Sequence, residues 1–226
     1  MQSAMASGEQ VIRLLDTSPE VQDTPGANEL PLDPLPGSPA IEFDQVTFRY
    51  QSDLPDVLHD INLKIPRGQT VALAGPTGAG KTSIGNLIAR FYDVTRGSVR
   101  INGVDVREVT QKSLHRLIGL VPQDSFLFSG TIAENIRYGQ PDATEEEIVQ
   151  AARDANAHEF IISKPEGYKT HILESATNLS LGQRQLLCIA RAILADPAIL
   201  ILDEATANID SLTESLIQKA LSRLLK

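Results

Sequence analysis

The chain has 226 residues, enough for one large domain or two smaller lobes. Hydrophobic residues make up 42% of it and charged residues 22%, the balance of an ordinary soluble globular protein. Its net charge of −9 argues against a protein that coats nucleic acid through a basic surface, although a local loop of an acidic protein can still bind phosphate.

The first 39 residues predict no packed domain. Residues 5–16 predict the end of a short helix, and residues 17–39 hold six of the chain's 13 prolines, a density that favours extended linker structure. The globular part is therefore expected to begin near Ala40. No apolar run anywhere approaches about 18 residues, so the chain itself is not predicted to cross a membrane.

Hydrophobic periodicity then predicts the regular elements in chain order. Predicted strands cover residues 41–50, 61–65, 70–74, 98–102, 118–121 and 198–202. Predicted helices cover residues 81–92, a segment that begins at Thr144, and residues 157–163, 182–195 and 211–225. The order is an antiparallel start followed by βα alternation around an inserted helical segment, which predicts an α/β fold. The last strand is fully apolar, which is typical of strands covered on both faces.

The one cysteine, Cys188, lies within the apolar helix at 182–195. A single thiol cannot form an internal disulfide, so the fold must depend on its hydrophobic core. We expect a buried structural cysteine rather than a reactive one.

Residues 75–82, Gly-Pro-Thr-Gly-Ala-Gly-Lys-Thr, fit the phosphate-loop pattern G-x-x-x-x-G-K-[ST] between a predicted strand and a predicted helix. The glycines let backbone N–H groups point at phosphates, Lys81 places a cation on them, and Thr82 places its hydroxyl on Mg²⁺. The alternative is a glycine-rich turn with a surface lysine. The pattern G-x-x-x-x-G-K-[ST] is expected by chance in about one per cent of chains of this length.

An acidic pair, Asp203 and Glu204, follows the apolar strand at 198–202 directly. The strand end would place Asp203 near the loop of the neighbouring strand, where it can hold Mg²⁺ through water. Glu204 would orient and deprotonate an attacking water. The alternative is that the two acids only begin a loop or cap a helix.

The motif Leu179-Ser-Leu-Gly-Gln183, followed by Arg184-Gln185, resembles the signature of ATP-binding-cassette (ABC) ATPases, and residues 199–206 resemble their second nucleotide motif. The resemblance covers residues 41–226. It implies an ABC ATPase domain over residues 40–226 with a P-loop NTPase (RecA-like) core and an antiparallel β subdomain. An inserted α-helical subdomain is implied at about residues 124–185.

Ser180 and Gln183 form the capping box S-x-x-Q at the start of a helix, and a helix N-terminus attracts anions. The alternative is a capped helix and nothing more. The resemblance implies that this end meets the γ-phosphate of ATP held by a second ABC domain, so that a homo- or heterodimer forms head to tail.

The resemblance also implies the site residues. ATP would be bound by Tyr50, Gly75, Pro76, Thr77, Gly78, Ala79, Gly80, Lys81, Thr82, Ser83, Ser180, Gly182 and Gln183. Mg²⁺ would be held by Thr82, Gln123 and Asp203, and catalysis would depend on Glu204, Gln123 and Lys81. Alternatives remain for three positions. Tyr50 can instead be a packed aromatic, Gln123 a routine loop residue, and Asp210 a helix cap rather than part of an interface loop.

Two segments resemble exporters in particular. Residues 128–136, Phe-Ser-Gly-Thr-Ile-Ala-Glu-Asn-Ile, resemble the segment after the exporters' glutamine loop, and residues 5–16 resemble the end of their last membrane helix. This implies a transmembrane domain as partner, a place at the cytoplasmic face of a membrane, and no nucleic acid. The alternatives are a soluble ABC ATPase of DNA repair or translation and a nucleotide-gated module that does not hydrolyse ATP.

The sequence departs from the family pattern in three respects. Leu181 and Ala176 stand where the family often has glycine. The chain stops at Lys226, before the strand and the γ-phosphate-contacting histidine that the family places after the last helix. None of its four histidines can fill that role: His59, His115, His158 and His171. We therefore expect a C-terminally incomplete cassette that hydrolyses ATP weakly or not at all by itself.

Overall fold

The computed structural model describes residues 8–224 with gaps at residues 11, 13–14, 18, 123–124, 174–175 and 204–210. The chain divides into two compact units, Met1–Leu114 and His115–Lys226. Within the described part, no helix is both long and apolar enough to span a bilayer.

The first unit contains the antiparallel β subdomain that the sequence predicts. Its strands are β1 (Ile41–Phe48), β2 (Leu58–Ile65), β3 (Arg96–Ile101) and β4 (Val104–Asp105). They form one sheet in the order β2-β1-β3-β4. Ile41 and Phe43 of β1 are buried, because alternate side chains of a strand lie on the same face. Phe48 is also buried, since the register of β1 against β2 shifts between Phe43 and Phe48.

The prediction of a buried strand at residues 70–74 is wrong. These residues form no strand in the described structure, and the side chains of Val71 and Leu73 are each 42% exposed. A strand needs a neighbour for its ladder hydrogen bonds, and the four strands of the first unit pair only with one another. The apolar composition of residues 70–74 therefore suits a buried strand, but no neighbouring strand is present for these residues to pair with in the described part of the first unit.

Helix α1 covers Lys81–Ile88 and ends before the predicted Tyr92. Arg90 has a φ of 52°, a left-handed conformation that a right-handed helix cannot continue. A 3-10 turn at Val106–Glu108 and helix α2 at Gln111–Leu117 follow β4. The sequence did not predict α2, which is only two turns long.

The second unit contains a parallel pair of strands, β5 (Ile118–Val121) and β8 (Ile199–Leu202). Their register pairs Ile118 with Ile199 and Val121 with Leu202, so both strands end at the same edge. All four residues of β8 are half-buried, less than the coverage on both faces that we predicted. Among the described strands of this unit, β8 pairs with β5 alone.

Helices fill the rest of the second unit. They are α3 (Ile132–Arg137), α4 (Glu145–Asp154), α5 (His158–Ile162), α6 (Leu181–Ala195) and α7 (Ser211–Leu224). A short antiparallel pair joins β6 (Gly130–Thr131) to β7 (His171–Ile172). Leu186, Leu187 and Ile189 of α6 are at most 2% exposed and lie at the centre of the core. Helices α3 to α5 come between β5 and α6, as an inserted helical segment requires.

Candidate functional site

The phosphate loop leads directly into α1, whose first residue is Lys81. Gly78 and Gly80 both have a φ of 85°, in the left-handed region that glycine adopts without a steric penalty. A Cβ added at Gly80 would lie 2.6 Å from Cδ2 of Leu58. Glycine at this position therefore allows both the turn and its close packing against β2.

The N-terminus of α1 has no side-chain cap and no acid in its first turn. Capping boxes close α3, α4 and α6. The uncapped N–H groups and the positive end of the helix dipole suit a negatively charged ligand such as a phosphate.

Lys81 is held at its own loop. Its Nζ donates hydrogen bonds to the carbonyl oxygens of Gly75, at 2.9 Å, and Pro76, at 3.0 Å. The backbone N–H of Ala79 donates to the same Pro76 oxygen at 3.1 Å and closes the turn. These contacts place the ammonium group beside the N-terminus of α1, where the sequence predicts a cation for the phosphates.

Tyr50, the predicted adenine-stacking residue, lies next to the phosphate-loop helix. Its hydroxyl is 2.8 Å from Oγ of Ser83, which is only 4% exposed. Its ring packs edge-on against Phe48 and Tyr92, with centroid distances of 4.8 and 5.0 Å. Both interpretations of Tyr50 thus have support, since it is a packed aromatic and also contacts a predicted nucleotide-binding residue.

In the second unit, the predicted capping box of the signature motif is present. Oγ of Ser180 accepts a hydrogen bond from the backbone N–H of Gln183, and the Gln183 side chain accepts one from the N–H of Ser180, both at 3.2 Å. Leu181 begins α6 and Gly182 is buried. The leucine that departs from the family pattern is thus compatible with a well-capped helix.

Asp203 lies directly after β8, at the carboxyl edge of the parallel pair. Its backbone N–H donates to the carbonyl of Val121 at 3.0 Å, which extends the pairing with β5 by one bond. Val121 is two residues before Gln123 in the sequence. Gln123, Glu204 and the interface loop at 207–210 lie outside the described residues, so their roles stay predictions.

Over the described part of the chain, no group of three or more His, Cys, Asp and Glu side chains is arranged to hold a metal. The predicted Mg²⁺ ligands are of another kind, namely the hydroxyl of Thr82, the amide of Gln123 and the single carboxylate of Asp203. Such oxygen donors suit Mg²⁺, which usually keeps several waters and shares its sphere with substrate phosphates.

Cys188 is a buried structural residue, as we predicted. It is 5% exposed, and burial raises the pKa of its thiol, which keeps the group neutral and unreactive. Its Sγ lies 3.7 Å from the carbonyl oxygen of Phe126.

Sequence reasoning missed Arg191, which joins α6 to α3. Its guanidinium donates to the carbonyl of Asn135 at 2.9 Å and to that of Phe126 at 3.3 Å. Its guanidinium carbon, Cζ, lies 5.5 Å from the ring centroids of both Phe128 and Tyr138. Burial lowers the pKa of Arg191. A charged residue inside the otherwise apolar run of α6 was the available signal.

Several known proteins are similar to this chain. Residues 58–207 match the protein family described as ABC transporter. An uncharacterized ABC transporter ATP-binding protein of Bacillus subtilis is 47% identical over 226 residues, which are 100% of this chain and 37% of that protein. An ATP-dependent lipid A-core flippase of Desulfotalea psychrophila is 46% identical, over 100% of this chain and 38% of that protein.

A fatty acid ABC transporter ATP-binding/permease protein of Mycobacterium bovis is 47% identical over 99% of this chain and 34% of that protein. Among solved structures, that of a bacterial Atm1-family ABC exporter with ATP bound matches with a TM-score of 0.86 at 39% identity, over 100% of this chain and 38% of that one. The chain thus spans between 34% and 38% of the length of these relatives.

Proposed function

Because this chain belongs to the ABC transporter family, we propose that it is the ATP-binding and ATP-hydrolysing motor domain of an exporter. The observation that carries the proposal is the phosphate loop of the first unit. It combines glycines in the left-handed conformation, a lysine, Lys81, that bonds to carbonyls of its own loop, and a helix N-terminus without a side-chain cap. This combination suits a polyphosphate, since it supplies backbone N–H groups, a cation and a helix dipole at one place.

The residues of this site have distinct roles. Residues 75–83 hold the phosphates, and Tyr50 supplies the aromatic face for adenine. Thr82, Gln123 and Asp203 hold Mg²⁺, which neutralises charge on the phosphates when it is bound. Lys81 stabilises the same charge as a point cation, and its two carbonyl contacts keep it oriented beforehand.

Glu204 is the proposed general base, which orients and deprotonates the attacking water, while Gln123 contributes through Mg²⁺. Substitution of Glu204 by glutamine is expected to reduce phosphate release to the uncatalysed background, because the amide cannot accept the proton. MgATP affinity should stay within about threefold of the unmodified chain, a change below 1 kcal/mol. Because this chain alone is expected to turn over slowly, parallel phosphate-release and nucleotide-binding measurements on a completed transporter test this. Unchanged turnover there would mean that the assigned base is wrong.

We expect this chain by itself to turn over ATP slowly. The segment at 70–74, which enters the phosphate loop, has no strand pairing in the described structure and is exposed. Catalysis of phosphoryl transfer depends on preorganised positioning, and a loop whose entry is unsupported loses part of it.

The signature motif gives the proposed partner, a second ABC domain bound head to tail. The capped N-terminus of α6, with Ser180, Gly182 and Gln183, would meet the γ-phosphate held by the other copy. The proposed second partner is a transmembrane domain at the cytoplasmic face of a membrane. The names of the M. bovis and D. psychrophila relatives, a permease and a flippase, support this.

A pair of matched variants tests the role of Ser180. Ser180→Ala and Thr144→Ala each remove one capping box, so both are expected to lower stability by about 1 kcal/mol. Only Ser180→Ala should weaken MgATP-dependent dimerisation, which sedimentation in the Glu204→Gln background measures. Equal dimerisation in the two variants would leave Ser180 with the role of a cap alone.

A further inference from the structure

The proline-rich stretch before β1 packs against other residues of the first unit. We call residues 21–30 the strap. Hydrogen bonds hold the strap to residues 107–113. The hydroxyl of Thr24 donates to the carbonyl of Arg107, and the N–H of Asn28 donates to that of Glu108. The carbonyl of Asn28 accepts from the N–H of Thr110, and the N–H of Leu30 donates to Oγ of Ser113. Leu30 is 5% exposed and belongs to the core. The strap thus adds no helix, yet it is fixed by backbone contacts along its length.

Arg90 ties the strap to the phosphate-loop helix. Its side chain is the largest of the fully buried ones, with a residue exposure of 1%. One guanidinium nitrogen donates to the carbonyl of Gln22 at 3.2 Å, and another donates to that of Val109 at 3.0 Å. Asp93 accepts from Nε at 3.2 Å, and the carboxylate of Asp23 lies 3.8 Å from Nη1.

Loss of any one of these contacts of Arg90 is expected to cost free energy. A buried guanidinium needs partners for its donors and its charge, and withdrawal of the strap would remove its bond to Gln22 and the nearby carboxylate of Asp23. Arg90 follows α1 by two residues, and its N–H donates to the carbonyl of Leu87 at 3.1 Å. Helix α1, with Lys81 at its other end, is the continuous element that connects Arg90 to the phosphate loop.

We propose that Arg90 is a positioning residue that couples docking of the strap to nucleotide binding at the phosphate loop. This rests on the proposed function, since it assumes that residues 75–83 bind ATP. The coupling is reciprocal by thermodynamic necessity: bound ATP stabilises the docked strap, and a loosened strap lowers ATP affinity. In a motor domain, the strap would then link the phosphate loop to whatever precedes it in the chain.

The test uses Asp23→Ala, which removes the ion pair with Arg90 and the acceptor for the N–H of Gln111. In the unmodified chain, saturating MgATP is expected to slow amide hydrogen exchange of residues 21–30 severalfold. In Asp23→Ala, exchange of the strap should quicken and the Kd for MgATP should rise about fivefold, the lower end of typical couplings. Arg90→Lys, which keeps the charge but loses the guanidinium bonds to the carbonyls of Gln22 and Val109, should act in the same direction.

Asp33→Ala is the matched control, because Asp33 is an exposed carboxylate of the same proline-rich stretch. It should leave strap exchange and ATP affinity unchanged. A loosened strap with unchanged ATP affinity in Asp23→Ala and Arg90→Lys would overturn the proposal, and so would strap exchange that does not respond to MgATP. If the unmodified chain binds no MgATP, the proposed function itself is wrong. The two outcomes that would overturn the coupling leave ATP binding intact, so the two failures can be told apart.

Discussion

Replacement of Lys81 by alanine is expected to lower the affinity for MgATP about 100-fold, which corresponds to about 3 kcal/mol for the loss of a positioned cation. The ammonium group bonds to the carbonyls of Gly75 and Pro76 and therefore needs little reorganisation to meet a phosphate. Titration with a fluorescent ATP analogue measures the change. Stability should hardly fall, because the half-buried Lys81 side chain contacts the exposed loop before α1 rather than the core.

The matched control is Lys112→Ala, which removes an exposed lysine of the same unit. It removes the same single positive charge but lies in α2, outside the phosphate loop. The two variants should therefore differ in ATP affinity by the full 100-fold or so if the contact is local. Equal affinities would mean that Lys81 acts only through the overall charge, and the assignment of the loop would be lost.

Replacement of Gly97 by alanine is expected to destabilise the first unit by about 3 kcal/mol or more, the sum of a left-handed penalty and a backbone clash. Gly97 has a φ of 81°, and an added Cβ would lie 2.4 Å from the carbonyl oxygens of both Asp44 and Gln45. Those oxygens belong to the bulge where the register of β1 against β3 shifts. Because the obstacle is backbone, no side-chain rotation relieves it.

Gly68→Ala separates the two contributions. Gly68 has a φ of 67°, but nothing lies within 4 Å of its added Cβ, so only the conformational penalty of about 1 kcal/mol is expected. Urea denaturation of both variants gives the difference in the free energy of unfolding. A similar loss in the two variants would show that the close approach of β1 and β3 at Gly97 has little energetic weight.

Local chemistry explains which parts of this structure were predictable. The strand at 118–121 is a compact apolar run, and the structure places β5 at those residues. The capping box depends on Ser180 and Gln183 being three residues apart, and both of its hydrogen bonds are present. The box at Thr144 begins α4 for the same reason. Such elements carry their determinants within a few neighbouring residues.

Other features depend on partners far away in the chain. The apolar run at 70–74 has no strand partner in its unit, so its composition alone was misleading. The prolines of residues 17–39 predicted extended structure, and the described residues of that stretch form no helix. Docking of the strap, however, depends on Arg90 and on Ser113, which is 83 residues from Leu30. Helix α2 buries too few apolar residues to show a helical period. Gln123 and Glu204 lie outside the described residues, and for them the sequence remains the basis of the assignment.

Isothermal titration calorimetry of the unmodified chain with MgATP is the decisive experiment for nucleotide binding at the phosphate loop. Saturable binding of one nucleotide per chain is expected, competed by ADP and abolished over the same concentration range by Lys81→Ala. Absence of binding at millimolar MgATP, in a sample whose thermal unfolding shows that it is folded, would contradict it.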